Sequence, residues 1–114
     1  MIARTWRGAT RATDADAYVA YLHGTGLKEY RDTPGNRGAF CFRRIAGDKA
    51  EFVTLSFWES EAAIKAFAGE DISRAVYYPE DDRFLVDRGP VVEHFEVVFA
   101  SVPAIDESTA DRPG

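Results

Sequence analysis

One stretch of this sequence, FVTLSFWESEAAIKAF over residues 52–67, changes hydrophobic period part-way along, and that change leaves few folds open. Val53, Leu55 and Phe57 alternate with Phe52, Thr54, Ser56 and Trp58, the period of two of a β-strand. From Ser60 the spacing is helical, with Ile64 and Phe67 three apart and Ala63 and Phe67 four apart. Ser60 is placed to cap that helix, since its hydroxyl can accept from an unpaired N–H of the first turn. Glu61 follows where the helix dipole favours negative charge. A strand running into a helix through a capping serine implies a sheet packed against helices. Trp58 stands at the seam, either lining a space between the layers or filling the core there.

The rest of the chain supplies partners. Ile2 to Arg7 reads as a first strand, with Ile2, Arg4 and Trp6 on one face and Gly8 ending it. Thr13 or Asp14 caps a helix, and Thr13 with Asp16 makes a loose capping box. The apolar face of that helix is Ala15, Tyr18, Val19 and Leu22. Gly24 or Gly26 offers a left-handed closing position, and Leu27 to Tyr30 adds a short turn. TPGNRG, residues 33–38, is the strongest loop signal: Pro34-Gly35 suits a turn, and Asn36 and Gly38 tolerate positive φ. A second strand from Ala39 to Ile45 turns at Gly47-Asp48 into the third, Glu51 to Trp58, as an antiparallel hairpin.

Gly69 breaks the second helix. Asp71 caps a turn carrying Ile72, Ala75 and Val76, and Pro79 opens another with Glu80, Asp81 and Asp82 at its positive end. Phe84 and Leu85 pack inward, and a last strand runs from Val91 to Ala100. The order β-α-β-β-α-β predicts an α+β, ferredoxin-like domain, a four-stranded antiparallel sheet with both helices on one face. The domain covers residues 1–100, and residues 101–114 form a polar, acidic tail.

A sheet with helices on one side should alternate apolar and polar residues, and these strands do so poorly. Val53, Leu55 and Phe57 oppose Phe52 and Trp58. Val91, Phe95, Val97 and Phe99 oppose Val92 and Val98, and Phe40 and Phe42 oppose Ala39 and Cys41. Both faces want burial, so a second sheet from a twofold-related copy is expected over the free face, with the C-terminal tail as the alternative cover.

Composition narrows the partners. The 114 residues fit one domain, and 46% hydrophobic content is enough for a core. A net charge of −5, from 19 acidic and 14 basic residues, argues against a nucleic-acid backbone or an anionic membrane. The lone Cys41 allows no internal disulfide and reads as a small core residue of a reduced protein. No apolar leader and no membrane-length segment is evident, so a cytoplasmic protein is expected. Arg37 to Phe42 partly echoes an RNA-recognition motif, but ahead of the wrong strand and in an acidic chain.

The candidate site residues are few. His94, with an ordinary pKa near neutrality, is the first general-base candidate and shares a face with Glu96; two such groups do not make a metal site, and none is expected. Its other reading is a hydrogen-bonded core or interface histidine. Tyr77 and Tyr78 are adjacent and cannot point the same way, so one of them can offer a phenol to a substrate oxygen. Arg4 and Trp6 share a face that can hold an anionic or planar ligand, unless Arg4, Arg43 and Arg44 pair across strands with Glu51 or Glu93. Phe40 and Trp58 complete the aromatic candidates. The run Glu80-Asp81-Asp82 reads as a helix start, and His23 as a cation near a helix end.

The junction Leu55 to Ser60, the run Ala75-Val-Tyr-Tyr-Pro79 and the strand Val92-Glu-His94-Phe-Glu-Val97 together resemble the antibiotic biosynthesis monooxygenase family. The resemblance spans roughly residues 1–100. It implies a dimeric α+β barrel, and an oxidoreductase that oxidises aromatic polyketides or quinols with O₂ and no added cofactor, or one that degrades haem. Trp58 matches the family's tryptophan. The asparagine that these enzymes place on an early strand has no counterpart, since Asn36 lies in the loop. The helix from Ser60 to Ala68 lacks the histidine of the haem degraders, which disfavours haem. Two readings follow: a cofactor-independent monooxygenase acting on a small quinol or polyketide-like aromatic, or a non-catalytic dimeric ligand-binding or interaction module on the same scaffold.

Overall fold

The computed structural model describes residues 1–88 and 92–102. Its backbone is organised by β3 (Lys49–Trp58), which carries a full-length antiparallel ladder on each side. On one side β1 (Ile2–Arg11) pairs from Ile2↔Trp58 to Arg11↔Lys49, and on the other β2 (Asn36–Ala46) pairs from Asn36↔Trp58 to Ala46↔Lys49. Gly47, at φ 64, makes the tight turn expected between β2 and β3. The strand order is β2-β3-β1-β4, with β5 also pairing β1. β4 (Leu85–Arg88) lies along Gly8–Thr10 and β5 (Glu93–Glu96) along Ile2–Thr5. The sheet is four strands wide, and its last edge position is shared by two short segments.

That split edge corrects the expected Val91–Ala100 strand. β4 is an additional strand, regular pairing of β5 ends at Glu96, and Val91 lies outside the described residues, as does the tail beyond Val102. Pro90, with no N–H to donate to a ladder, stands between the two segments in the sequence. β1 is also longer than expected. Gly8 sits within it, paired with Phe52 and Arg88, because the Trp6 indole lies over it. A Cβ at Gly8 would come within 2.5 Å of the Trp6 ring.

The first helix, α1 (Ala15–Gly24), is preceded by a 3₁₀ turn over Ala12–Asp14, and Asp14 makes no side-chain capping bond, so the expected Thr13/Asp16 box is absent. Neither Gly24 nor Gly26 has positive φ. The chain instead turns at Thr25, whose hydroxyl donates to Tyr21 O, directly into α2 (Gly26–Asp32). α3 (Glu61–Ala68) begins as expected, with Ser60 Oγ accepting from Ala63 N at 3.1 Å, and ends at Gly69 with φ 88. Asp71 caps no helix. Its carboxylate accepts from the N–H and hydroxyl of Ser73 in a local turn, and residues 69–80 form an irregular strap before α4 (Asp81–Phe84).

The alternation on β3 decides what is inside. Ala50, Phe52, Thr54, Ser56 and Trp58 are buried toward the helices, whereas Val53, Leu55 and Phe57 are half-buried on the opposite face. Tyr18 packs edge-on against Phe52 (5.0 Å) within one cluster that includes Trp6, Leu22, Phe84 and Leu85. A second cluster joins Trp58, Tyr30, Ala63 and Ile64. Burying a side chain such as Ile64, fully enclosed here, contributes about 1.5–3 kcal/mol. By register, Phe40, Phe42 and Phe95 share the other face with Val53, Leu55 and Phe57. Phe42 is 50% exposed and Phe95 53%. Cys41 is exposed on the edge strand β2, rather than in the core. Among the described residues no helix is long and apolar enough to cross a membrane.

Candidate functional site

A cavity of about 30 Å³ lies between the helix-facing side of the sheet and the helices, room for one or two water molecules. β1 contributes Arg4 and Trp6 to its wall, and β3 contributes Thr54. Alternation places all three on one face: Arg4 stands opposite Ser56 and Trp6 opposite Thr54. Tyr18 from α1, Tyr30 from α2 and Phe67 from α3 close the far side. The strap supplies Val76 and Tyr78, and α4 supplies Asp81. In this conformation the cavity admits water but not an aromatic ring. A larger ligand has to displace the strap, the lining segment without regular structure.

The polar groups of this wall are unevenly matched. Arg4 is only 2% exposed, and burial draws its pKa below the ordinary value. Its guanidinium donates to Ile72 O and, at 3.0 Å, to Arg74 O, so it ties the strap to the sheet. Nη1 also meets His94 Nε2 at 2.9 Å, and the guanidinium lies 5.9 Å from the Phe67 ring centre. Among the described residues no carboxylate pairs with it. Trp6 is 9% exposed, and its buried Nε1–H has no acceptor among the described residues. Tyr30 and Thr54 share a hydrogen bond of 3.0 Å, and burial raises the Tyr30 pKa.

Asp81 is the acidic group of the wall. It is 4% exposed, and burial raises its pKa against the opposing pull of its hydrogen bonds. Oδ2 accepts from Tyr78 N at 2.6 Å and Oδ1 from the Tyr18 hydroxyl at 3.4 Å. The Tyr18 phenol is itself pushed up, by burial first and then by Asp81. Such a carboxylate takes a proton at higher pH than an exposed one, which suits it to accept one from a bound hydroxyl. Burial, with the Glu29 charge, also raises the Tyr78 phenol, which makes it a hydrogen-bond donor rather than a base at neutral pH.

Arg4, Trp6 and Tyr78, three of the candidates from sequence, therefore meet at one cavity. The others do not line it. Trp58 is fully buried, its Nε1 donates to Ser56 Oγ at 2.9 Å, and it packs behind Phe67 (5.4 Å) and Tyr30 (6.2 Å). Tyr77 is partly exposed beneath the Arg88 guanidinium, 4.7 Å from its ring centre. Phe40 is on the opposite face of the sheet, stacked on Phe42 at 6.0 Å. His94 stands opposite Arg4 on β5. Burial and the Arg4 charge lower its pKa, so the ring is neutral at pH 7 and Nε2 accepts from Arg4.

The cross-strand arginine pairing expected from sequence holds for one of the three. Arg44 pairs with Glu51 across β2 and β3, but Arg43 reaches Asp16 at 2.7 Å and Arg4 turns away from Glu93. Among the described residues no group of three or more His, Cys, Asp or Glu gathers as a metal site. Sequence reasoning missed Asp81, Tyr30 and Thr54. Asp81 lies three residues before Phe84, so an inward Phe84 carries the carboxylate inward with it.

No protein-family model and no curated protein sequence matches the chain. Solved structures do. A protein of unknown function from Nitrosomonas europaea superposes with a TM-score of 0.61 at 19% identity, over 90% of this chain and 94% of that one. A protein from Bacillus cereus described as a candidate antibiotic biosynthesis monooxygenase gives 0.60 at 16% identity, over 92% and 98%. The monooxygenase of the Streptomyces coelicolor gene ActVA-Orf6, in complex with nanaomycin D, gives 0.55 at 18% identity, over 90% and 92%. The chain has the ferredoxin-like fold of the antibiotic biosynthesis monooxygenase-like proteins.

Proposed function

We propose that the protein is a cofactor-independent monooxygenase acting on a small quinol or polyketide-like aromatic, bound between sheet and helices. One observation carries the reading: Asp81, a buried carboxylate with a raised pKa, faces an aromatic-walled cavity. The strap moves aside to admit the ring, and Asp81 takes the hydroxyl proton. The resulting anion gives an electron to O₂, the two radicals join as a carbon-bound peroxide, and loss of water leaves a carbonyl. One oxygen atom stays on the ring. The other leaves as water with the hydroxyl hydrogen and the ring hydrogen that the substrate gives up. In this reading Asp81 replaces His94 as base, because the Arg4 guanidinium occupies the His94 Nε2 lone pair. Tyr78 donates to a substrate oxygen.

The exposure of Phe42 and Phe95 on the face they share with Phe40 and Leu55 supports a homodimer in which that face meets its copy. The test of function is O₂ uptake with a panel of naphthoquinols and naphthols. Uptake above the buffer rate that falls by a factor of about 10² or more in Asp81→Asn supports the reading. Uptake equal to buffer, or unchanged in Asp81→Asn, overturns it. A second reading, a non-catalytic ligand-binding module, draws support from the enclosure of Trp58 and the small cavity. Ligand binding without O₂ uptake would select it.

A further inference from the structure

We propose that the cavity recognises an organic oxyanion, a carboxylate or phenolate on an aromatic ring, seated on Arg4 and Trp6. The inference deepens the proposed function and rests on its choice of cavity. Two independent observations carry it. Arg4 is a buried cation with no carboxylate partner among the described residues; its partners are two backbone carbonyls and a neutral imidazole. A buried charge held only by neutral groups is under-compensated, and an anion brought to it gains the interaction the protein withholds. Three hydrogen bonds also leave two of the guanidinium's five N–H groups without a partner among the described residues.

The second observation is the Trp6 Nε1–H, a buried donor with no acceptor among the described residues, on a side chain lining the same cavity. A buried donor beside a cavity is paired by whatever fills that cavity, and an oxyanion is a stronger acceptor than water. Of the other polar groups, the Tyr78 phenol and one hydroxyl of the Tyr30–Thr54 pair can donate to an anion. Asp81, the carboxylate of the wall, opposes one, and its charge is partly offset by the bonds it accepts from Tyr18 and the Tyr78 N–H. The charged or titratable groups around Arg4 are Tyr30 on α2 and His94 on β5, with Glu61 on α3 acting on His94.

The seat also couples binding to access. The carbonyls of Ile72 and Arg74 occupy Arg4 where a ligand oxygen would compete. An anion that displaces them releases the strap that covers the cavity, whereas a neutral ring of the same shape has no such lever.

The experiment compares 1-naphthoate with its neutral isostere 1-naphthamide by calorimetry on the full chain. The expected result is at least tenfold tighter binding of the carboxylate, about 1.4 kcal/mol. That preference should fall to within about twofold in Arg4→Gln and shrink about threefold or more in Trp6→Phe, which keeps the charge and removes one N–H. If Arg4→Gln does not fold, Trp6→Phe decides alone. Titration of bound 4-nitrophenol, followed by its phenolate absorbance, tells phenolate from carboxylate: a lowered apparent pKa assigns the seat to phenolates as well, and an unchanged one with naphthoate preferred assigns it to carboxylates. Equal affinity for naphthoate and naphthamide, binding of neither, or a preference intact in both variants overturns the inference. Naphthoate preference without O₂ uptake removes the oxygenase reading and leaves the anion seat standing; O₂ uptake from quinols with no anion preference does the reverse.

Discussion

Replacing Trp58 by phenylalanine separates a core role from a binding role. The indole is fully buried, its Nε1–H donates to Ser56 Oγ at 2.9 Å, and it packs on Tyr30 and Phe67. Phenylalanine loses the hydrogen bond, about 1 kcal/mol. It also leaves a void of roughly 40 Å³, which at about 24 cal/mol per Å³ costs about 1 kcal/mol more, before the lost transfer energy of the missing ring atoms. The sum is about 2–3 kcal/mol, a fall in Tm of about 10–15 °C for a domain of this size. Thermal unfolding followed by circular dichroism measures it. Naphthoate affinity at 20 °C below the variant's Tm should stay within about twofold, because Trp58 stands behind the cavity wall rather than on it. A Tm loss under about 2 °C joined to a tenfold loss of affinity would refute this account of Trp58.

Three other outcomes are expected. Gly35→Ala should lower stability by about 1–3 kcal/mol in denaturant titration, since Gly35 has φ 92 and a Cβ there would meet that of Ala63 at 2.5 Å. Asp81 has a raised folded pKa, so its protonated form is favoured on folding. That contribution is fully present below the unfolded value near 3.8 and is lost as pH rises through the folded pKa. Asp81→Asn should therefore gain stability relative to wild type as pH rises across that window, and a difference flat in pH would count against it. Phe42→Lys, on the open face, should shift sedimentation from dimer toward monomer with little change in folded helix content.

The elements were largely legible in the sequence because period and caps are local properties. The switch at Ser60 marks β3 and α3, and Ala15, Tyr18 and Leu22 mark the buried face of α1. What failed was set by tertiary contact. Gly8 looked like a strand end, yet it is the gap into which Trp6 folds. Thr25, rather than a glycine, separates α1 from α2. The split edge depends on how β4 and β5 share β1, which neither short segment reveals alone.

For the site, the shared face of Arg4 and Trp6 was readable from strand alternation. The depth of Arg4 was not, because its closest partners, Ile72, Arg74 and His94, lie far along the chain. Trp58 looked like a wall because it ends a strand, but α3 and Tyr30 close over it. Asp81 hid within an acidic run of which Glu80 and Asp82 reach solvent and it alone turns inward.

The most direct test of the central claim, that ligand binds between sheet and helices at the Arg4–Trp6–Asp81 wall, is a crystal structure of the protein with 1-hydroxy-2-naphthoate. The account predicts the ring against Phe67 and Trp6, the carboxylate within hydrogen-bond distance of Arg4 in place of the Ile72 and Arg74 carbonyls, and residues 69–80 displaced. A ligand seated instead on the open face against Phe40 and Phe42, with Arg4 still holding the strap, would contradict it.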